Sequence, residues 1–210
     1  MAAMNHRSLV LATIFLAAAC SRREDPRDPA PETARGAQSL PAPGTNPEGK
    51  TMTFHSFSAA PLGLAEPVSL ARYQGKVLLV ANTAAHCGYT PQYTPLGEVD
   101  RKYKDKGFAV VGFVSDDFGH QAGSVDEVKA CSLEHHATFD QFAEMHVKKG
   151  PEQHPLFVWL TSQPGLSGDV TWNFNKWLIG KQGEVVARWP SDVAPDSGEV
   201  TAAIEAALAK

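Results

Sequence analysis

Residues 77–93 read VLLVANTAAHCGYTPQY. The first five positions, Val77 to Ala81, are continuously apolar, as in a strand covered on both faces, where no side chain meets water and alternation disappears. The stretch that follows, NTAAHCGYTPQY (82–93), then places Cys87 in a strand-to-helix connection. Thr94-Pro95 is a candidate N-cap and first helical residue. Leu96, Val99 and Tyr103 recur at helical spacing, and Lys104, Lys106 and Gly107 suit a helix end. Phe108 to Val114 is a second uninterrupted apolar run, so the whole is a βαβ unit with two buried parallel strands. Further on, Ser124-Val-Asp-Glu127 is a capping box, and Val125, Val128 and Cys131 fall three apart on one face of the helix it starts. Pro155 to Thr161 and Glu184 to Trp189 predict two further strands, and Val200 to Leu208 a closing helix. The order is that of an α/β domain, a sheet flanked by helices.

The chain has 210 residues, 43% apolar and 20% charged, with a formal net charge of −4. That composition supports one core and supplies no basic field for phosphate backbones, which argues against nucleic acid as a partner. Its three cysteines, Cys20, Cys87 and Cys131, are too few for a disulfide scaffold or an all-cysteine zinc site. The adjacent His135 and His136 point about 100° apart on a helix and make poor joint ligands, so no metal is expected. At the start, His6 and Arg7 precede an apolar stretch from Leu9 to Ala19, too short to cross a bilayer and suited to an export signal over 1–19. Residues 20–50 hold six prolines and a single large aliphatic, Leu40, the composition of a disordered spacer. The folded domain is expected over 51–210.

Chemistry concentrates at Cys87. Open parallel sheets place ligand sites at such strand ends. A cysteine just before a helix start also feels free backbone N–H groups and the positive end of the helix dipole, both of which favour the nucleophilic thiolate.

Three segments in order, NTAAHCGYTPQY (82–93), GFVSDDFGHQAGS (112–124) and VTWNFNKWLIG (170–180), resemble the signature segments of glutathione peroxidases. The resemblance spans about residues 53 to 200. It implies a thioredoxin-like fold with a mixed central sheet, no cofactor, and a tetrad in which Cys87 attacks the hydroperoxide while Gln121, Trp172 and Asn173 donate hydrogen bonds. Amides and an indole suit that task because they donate without titrating. Cys131, followed by ATFDQF (137–142), matches the resolving cysteine of thioredoxin-dependent members. The resemblance therefore implies a Cys87–Cys131 disulfide, a thioredoxin-like reductant, and a monomer. Bridging requires Cα atoms within about 7 Å, which predicts local unwinding of the helix that carries Cys131. The chain departs from the family where FPCNQFG becomes FVSDDFG, so Ser115 replaces a cysteine of some relatives. Asp116 and Asp117 add negative charge expected to oppose the Cys87 thiolate, with His86 and His120 as possible offsets.

Ala17-Ala18-Ala19-Cys20 resembles a bacterial lipobox, with Cys20 as the lipid-bearing residue, although Ala17 stands where leucine is usual. Ordinary secretion after the alanines is the alternative. Either way the expected location is the cell envelope. With a lipid on Cys20 the membrane contact is through that anchor only. Two other readings stay open. Cys131 is also placed to pack as a core residue. The chain also resembles envelope thiol–disulfide oxidoreductases and copper-delivery proteins in anchoring, although Gly-Tyr-Thr after Cys87 offers no nearby second cysteine. A relay that passes a peroxide-formed disulfide to a partner shares the first step.

Overall fold

In the computed structural model, which describes residues 51–210, a short antiparallel pair, β1 (Ser58–Ala59) and β2 (Val68–Ser69), precedes the main sheet. The expected export signal, Cys20 and the spacer lie outside the described residues. Then come β3 (Val77–Thr83), α1 (Tyr93–Tyr103), β4 (Phe108–Val114), α2 (Val125–Glu134), β5 (Asp140–Phe142), α3 (Pro155–Thr161), β6 (Lys176–Ile179), β7 (Val185–Trp189) and α4 (Gly198–Leu208). The sheet runs β5-β4-β3-β6-β7. β3 pairs in parallel with β4, β4 with β5, and β6 joins β3 antiparallel, which makes the sheet mixed.

All seven residues of β3 are buried. Because strand side chains alternate faces, Val77, Leu79 and Ala81 enter one core with Tyr93, Leu96, Cys131 and Ile204, while Leu78 and Val80 enter the other with Phe54, Phe113, Phe157 and Trp177. The continuous apolar run is thus the mark of a strand with a core on each side. The α/β, thioredoxin-like architecture follows as expected.

Three local expectations change. Pro155 to Thr161 forms the helix α3 rather than a strand. Leu156, Phe157, Trp159 and Leu160 are buried while Val158 is 48% exposed, a helical spacing that a seven-residue apolar run leaves ambiguous until it is packed. Pro155 occupies the first turn, and the His154 side chain accepts the Leu156 amide at 3.2 Å as its cap. The helix after Cys87 starts earlier than Thr94-Pro95. A 3-10 turn, Thr90–Gln92, leads straight into Tyr93, so Pro91 takes the role expected of Pro95, which falls in the first α turn where its missing N–H costs nothing. Finally, the capping box of α2 forms, with the Ser124 amide donating to Glu127 Oε2 at 2.7 Å and the Glu127 amide to Ser124 Oγ at 3.3 Å. Val128 and Cys131 are buried, but Val125 is 38% exposed in the first turn, and Ser132 takes its place on the inner face.

Candidate active site

At the end of β3 the chain turns through Ala84 to Thr90. Thr90 is the pin of this turn. Its hydroxyl accepts the Cys87 amide at 2.9 Å and donates to Ala84 O at 3.0 Å, and its amide donates to Cys87 O at 3.0 Å. Cys87 is buried, and the Tyr89 amide donates to its sulfur at 3.4 Å. An N–H aimed at sulfur stabilises the anion more than the thiol.

Two loops close on this turn. The first, after β4, carries Gln121. The His86 amide donates to Gln121 O and the Ala85 amide to Ala122 O, each at 3.0 Å. Gly123 permits that approach. It lies at φ +80°, and a Cβ there would stand 3.1 Å from Ala85 Cβ and 3.2 Å from the His86 ring. The second loop, before β6, carries Trp172 and Asn173. Asn173 Nδ2 donates to Gln121 Oε1 at 3.2 Å, which turns the amide of Gln121 so that its NH2 is the opposite end. Trp172 packs against both cores and lies 5.5 Å from Phe118, ring centre to ring centre. Its indole N–H is buried and has no hydrogen-bond partner among the described residues. His120 (φ 57°) and Phe174 (φ 65°), non-glycine residues in the left-handed region, flank Gln121 and Asn173. Such conformations cluster where surrounding structure dictates geometry. The four residues expected to form the tetrad therefore come from three loops that meet at one end of the sheet.

Sequence reasoning missed the groups that hold the Trp172 loop. Asn82, fully buried in β3, donates from Nδ2 to Trp172 O at 3.0 Å and accepts the Asn175 amide on Oδ1 at 2.9 Å. Asn175 Nδ2 also donates to Trp172 O and to Ser191 Oγ, both at 3.0 Å. The available signal was a polar residue closing an otherwise apolar strand.

Cys131 lies in the middle of α2, buried, with its sulfur 4.0 Å from Ala85 O and so against the turn that carries Cys87. Among the described residues there is no Cys87–Cys131 bond. The added acidic pair is committed to its own loop. Asp116 accepts the Ala122 amide at 2.9 Å and meets His120 Nδ1 at 2.7 Å. Asp117 accepts the Val147 and Lys148 amides and meets His146 Nδ1 at 2.9 Å. Burial works against the charge on Asp117, but the bonds from His146 and the two amides outweigh it and hold this carboxyl below its usual range. Of the two histidines expected to offset this charge, His120 pairs with Asp116, whereas His86 pairs with Glu127 at 3.3 Å.

Residues 54–161 match the family model described as glutathione peroxidase. A hydroperoxy fatty acid reductase, gpx1 of Synechocystis sp., is 42% identical over 166 residues, covering 74% of this chain and 96% of that protein. The thioredoxin/glutathione peroxidase BtuE of Escherichia coli is 34% identical over 169 residues, covering 69% and 92%. Among solved structures, that of Trgpx in apo form superposes with a TM-score of 0.62 at 33% identity, covering 76% of this chain and 98% of the other.

Proposed function

The chain belongs to the glutathione peroxidase family and is a peroxidase; from that premise we propose a two-cysteine cycle that reduces hydrogen peroxide and lipid-derived hydroperoxides. The Cys87 thiolate attacks the terminal peroxide oxygen and the O–O bond breaks. The alkoxide or hydroxide takes up a proton and leaves, and the oxidised sulfur becomes a sulfenic acid. Cys131 as a thiolate then attacks Cys87 sulfur, water leaves, and a disulfide forms. A thioredoxin-like dithiol reduces it by exchange. The observation that carries the proposal is that the turn bearing Cys87 is bonded to the Gln121 loop through the His86 amide, that Asn173 donates to Gln121, and that the neighbouring Trp172 N–H has no partner among the described residues. Donors held there in advance stabilise charge as it develops on sulfur and oxygen without reorganising.

The choice of lipid hydroperoxides is supported by the name of the Synechocystis relative, and the thioredoxin-type reductant by that of the E. coli one. An envelope location rests on the lipobox-like Ala17-Ala18-Ala19-Cys20. A lipidated Cys20 carries a thioether, which leaves Cys87 and Cys131 as the only thiols of the anchored chain. Palmitate labelling of the wild type, lost in Cys20→Ser, is the expected sign of the anchor; equal labelling would refute it.

The central test follows peroxide consumption by the Cys20→Ser chain with thioredoxin as donor. Cys87→Ser abolishes turnover and peroxide reactivity together. Cys131→Ser retains one stoichiometric reaction with peroxide and loses thioredoxin-driven turnover. Full turnover in Cys131→Ser would remove Cys131 from the cycle, and disulfide exchange without peroxide turnover would favour a thiol–disulfide oxidoreductase.

A further inference from the structure

Lys176 opens β6 with its side chain fully buried. Lysine is almost never found so placed unless it is paired, since the ammonium loses its hydration. Its Nζ meets three oxygens: Phe174 O at 2.6 Å, Gln92 Oε1 at 2.7 Å and Ser191 O at 3.2 Å. The Gln92 amide is oriented because its Nε2 donates to Ser191 O at 2.5 Å, leaving Oε1 to face the lysine. Three acceptors match the three protons of an ammonium, where a neutral amine has two. Burial pushes this group down to about 7, with Asp192 opposing that in part.

The three oxygens belong to three segments of the site. Gln92 ends the 3-10 turn that follows Cys87, Phe174 follows Asn173 directly, and Ser191 follows β7 and also receives Asn175 on its hydroxyl. Phe174 is held at φ 65°, with its amide bonded to Asn82 O and its carbonyl to Lys176. Both peptide groups of the left-handed residue beside Asn173 are thus fixed from outside the loop.

We propose that Lys176 is a positioning residue for the peroxide reaction, tying the Trp172–Asn173 loop to the helix start behind Cys87. It sets how these donors stand relative to the sulfur, through the Phe174 carbonyl and Gln92. Such placement matters because a shift of about 1 Å can cost up to about 100-fold in rate. The inference rests on Cys87 being the residue that peroxide oxidises.

The test uses the full chain with Cys20→Ser and Cys131→Ser, in which Cys87 is the only thiol. Two quantities are read: the second-order rate of Cys87 oxidation by hydrogen peroxide in a single turnover, and the pH midpoint of Cys87 alkylation by iodoacetamide. Lys176→Met is expected to slow oxidation at least about 10-fold and raise the alkylation midpoint, and Gln92→Ala to slow it about 3-fold. In an Asn173→Ala background either change adds less than about 2-fold, since the residues act through one loop. A folded Lys176→Met chain with parental rate and midpoint overturns the proposal, as do losses that multiply with Asn173→Ala. If Lys176→Met does not fold, the Gln92→Ala cycle decides by the same criteria. A parent inert to peroxide sinks the peroxidase reading instead, and the alkylation midpoint then decides the role of Lys176.

Discussion

The two cysteines stand in differently built surroundings. The loops around Cys87 are held by buried polar groups: Asn82 donates to Trp172 O, Asn175 to Ser191 Oγ and Lys176 to Gln92 Oε1 and Ser191 O, while Thr90 pins its own turn through Ala84 O. The helix that carries Cys131 is held at its first turn by a capping box and by the His86–Glu127 pair, whose side chains are 41% and 55% exposed. An exposed ion pair contributes about 0.2–1 kcal/mol and a cap about 1 kcal/mol. A buried group left without its partner costs about 1–3 kcal/mol. The lower half of α2 is tied more firmly, since Ser132 Oγ donates to Val128 O and accepts Gln141 Nε2 from β5. The contrast teaches where motion is cheap. The Trp172 loop is fixed by buried bonds, whereas α2 is held most weakly at its N-terminal turn, which is where the proposed cycle would require it to open.

The strongest way to break this contrast is to loosen the fixed half. Asn82→Ala removes both side-chain bonds that Asn82 makes to the Trp172 loop, and we expect a stability loss of about 2–4 kcal/mol. Cys87 oxidation should slow at least about 10-fold, checked by denaturant unfolding and stopped-flow kinetics. Parental oxidation rates in a folded Asn82→Ala chain would show that the loop is positioned by other means.

A smaller effect sharpens the movable half. Ser124→Ala removes the N-cap of α2 at a cost of about 1 kcal/mol. With Cys20→Ser as parent, it should leave Cys87 oxidation unchanged and speed the following Cys87–Cys131 bond formation about 2- to 5-fold, read by quenched mass spectrometry. Slower bond formation would mean that an intact first turn guides Cys131 rather than restrains it.

The smallest effect is electrostatic and lies in the loop between these halves. The hydrogen bond to Asp117 raises His146, so its stabilising contribution is fully present below about 6.5 and is lost as pH rises through its higher folded value. Asp117, held below its usual range, contributes above about 3.8 and loses this as pH falls through its lower folded value. The pair is therefore strongest between these limits. His146→Ala should lower Tm by about 1–3 °C at pH 6 and by less at pH 9. An equal loss at both would assign the effect to packing.

Much of this was legible because it is local. Val77 to Thr83 and Phe108 to Val114 announce buried strands by losing all polarity until their ends. Ser124 and Glu127 form a capping box from four adjacent residues. Cys87 falls between strand and helix whatever the rest of the chain does. Pro155 to Thr161 was misread as a strand because seven apolar residues satisfy either period, and only packing that buries Leu156, Phe157, Trp159 and Leu160 while exposing Val158 selects the helix. Asn82 and Lys176 look like ordinary polar residues until β3 and β6 pair and bring Asn82 against Asn175 and Lys176 against Gln92 and Ser191. These partners are separated by 15 to 93 residues. The amino-acid sequence by itself determined which strands are buried, where α2 begins and which cysteine sits at a strand end, since each depends on a handful of neighbouring side chains. The tertiary structure alone decided which loops meet beside that cysteine's turn and what holds them there, because a hydrogen bond between distant segments exists only after the sheet has brought them together.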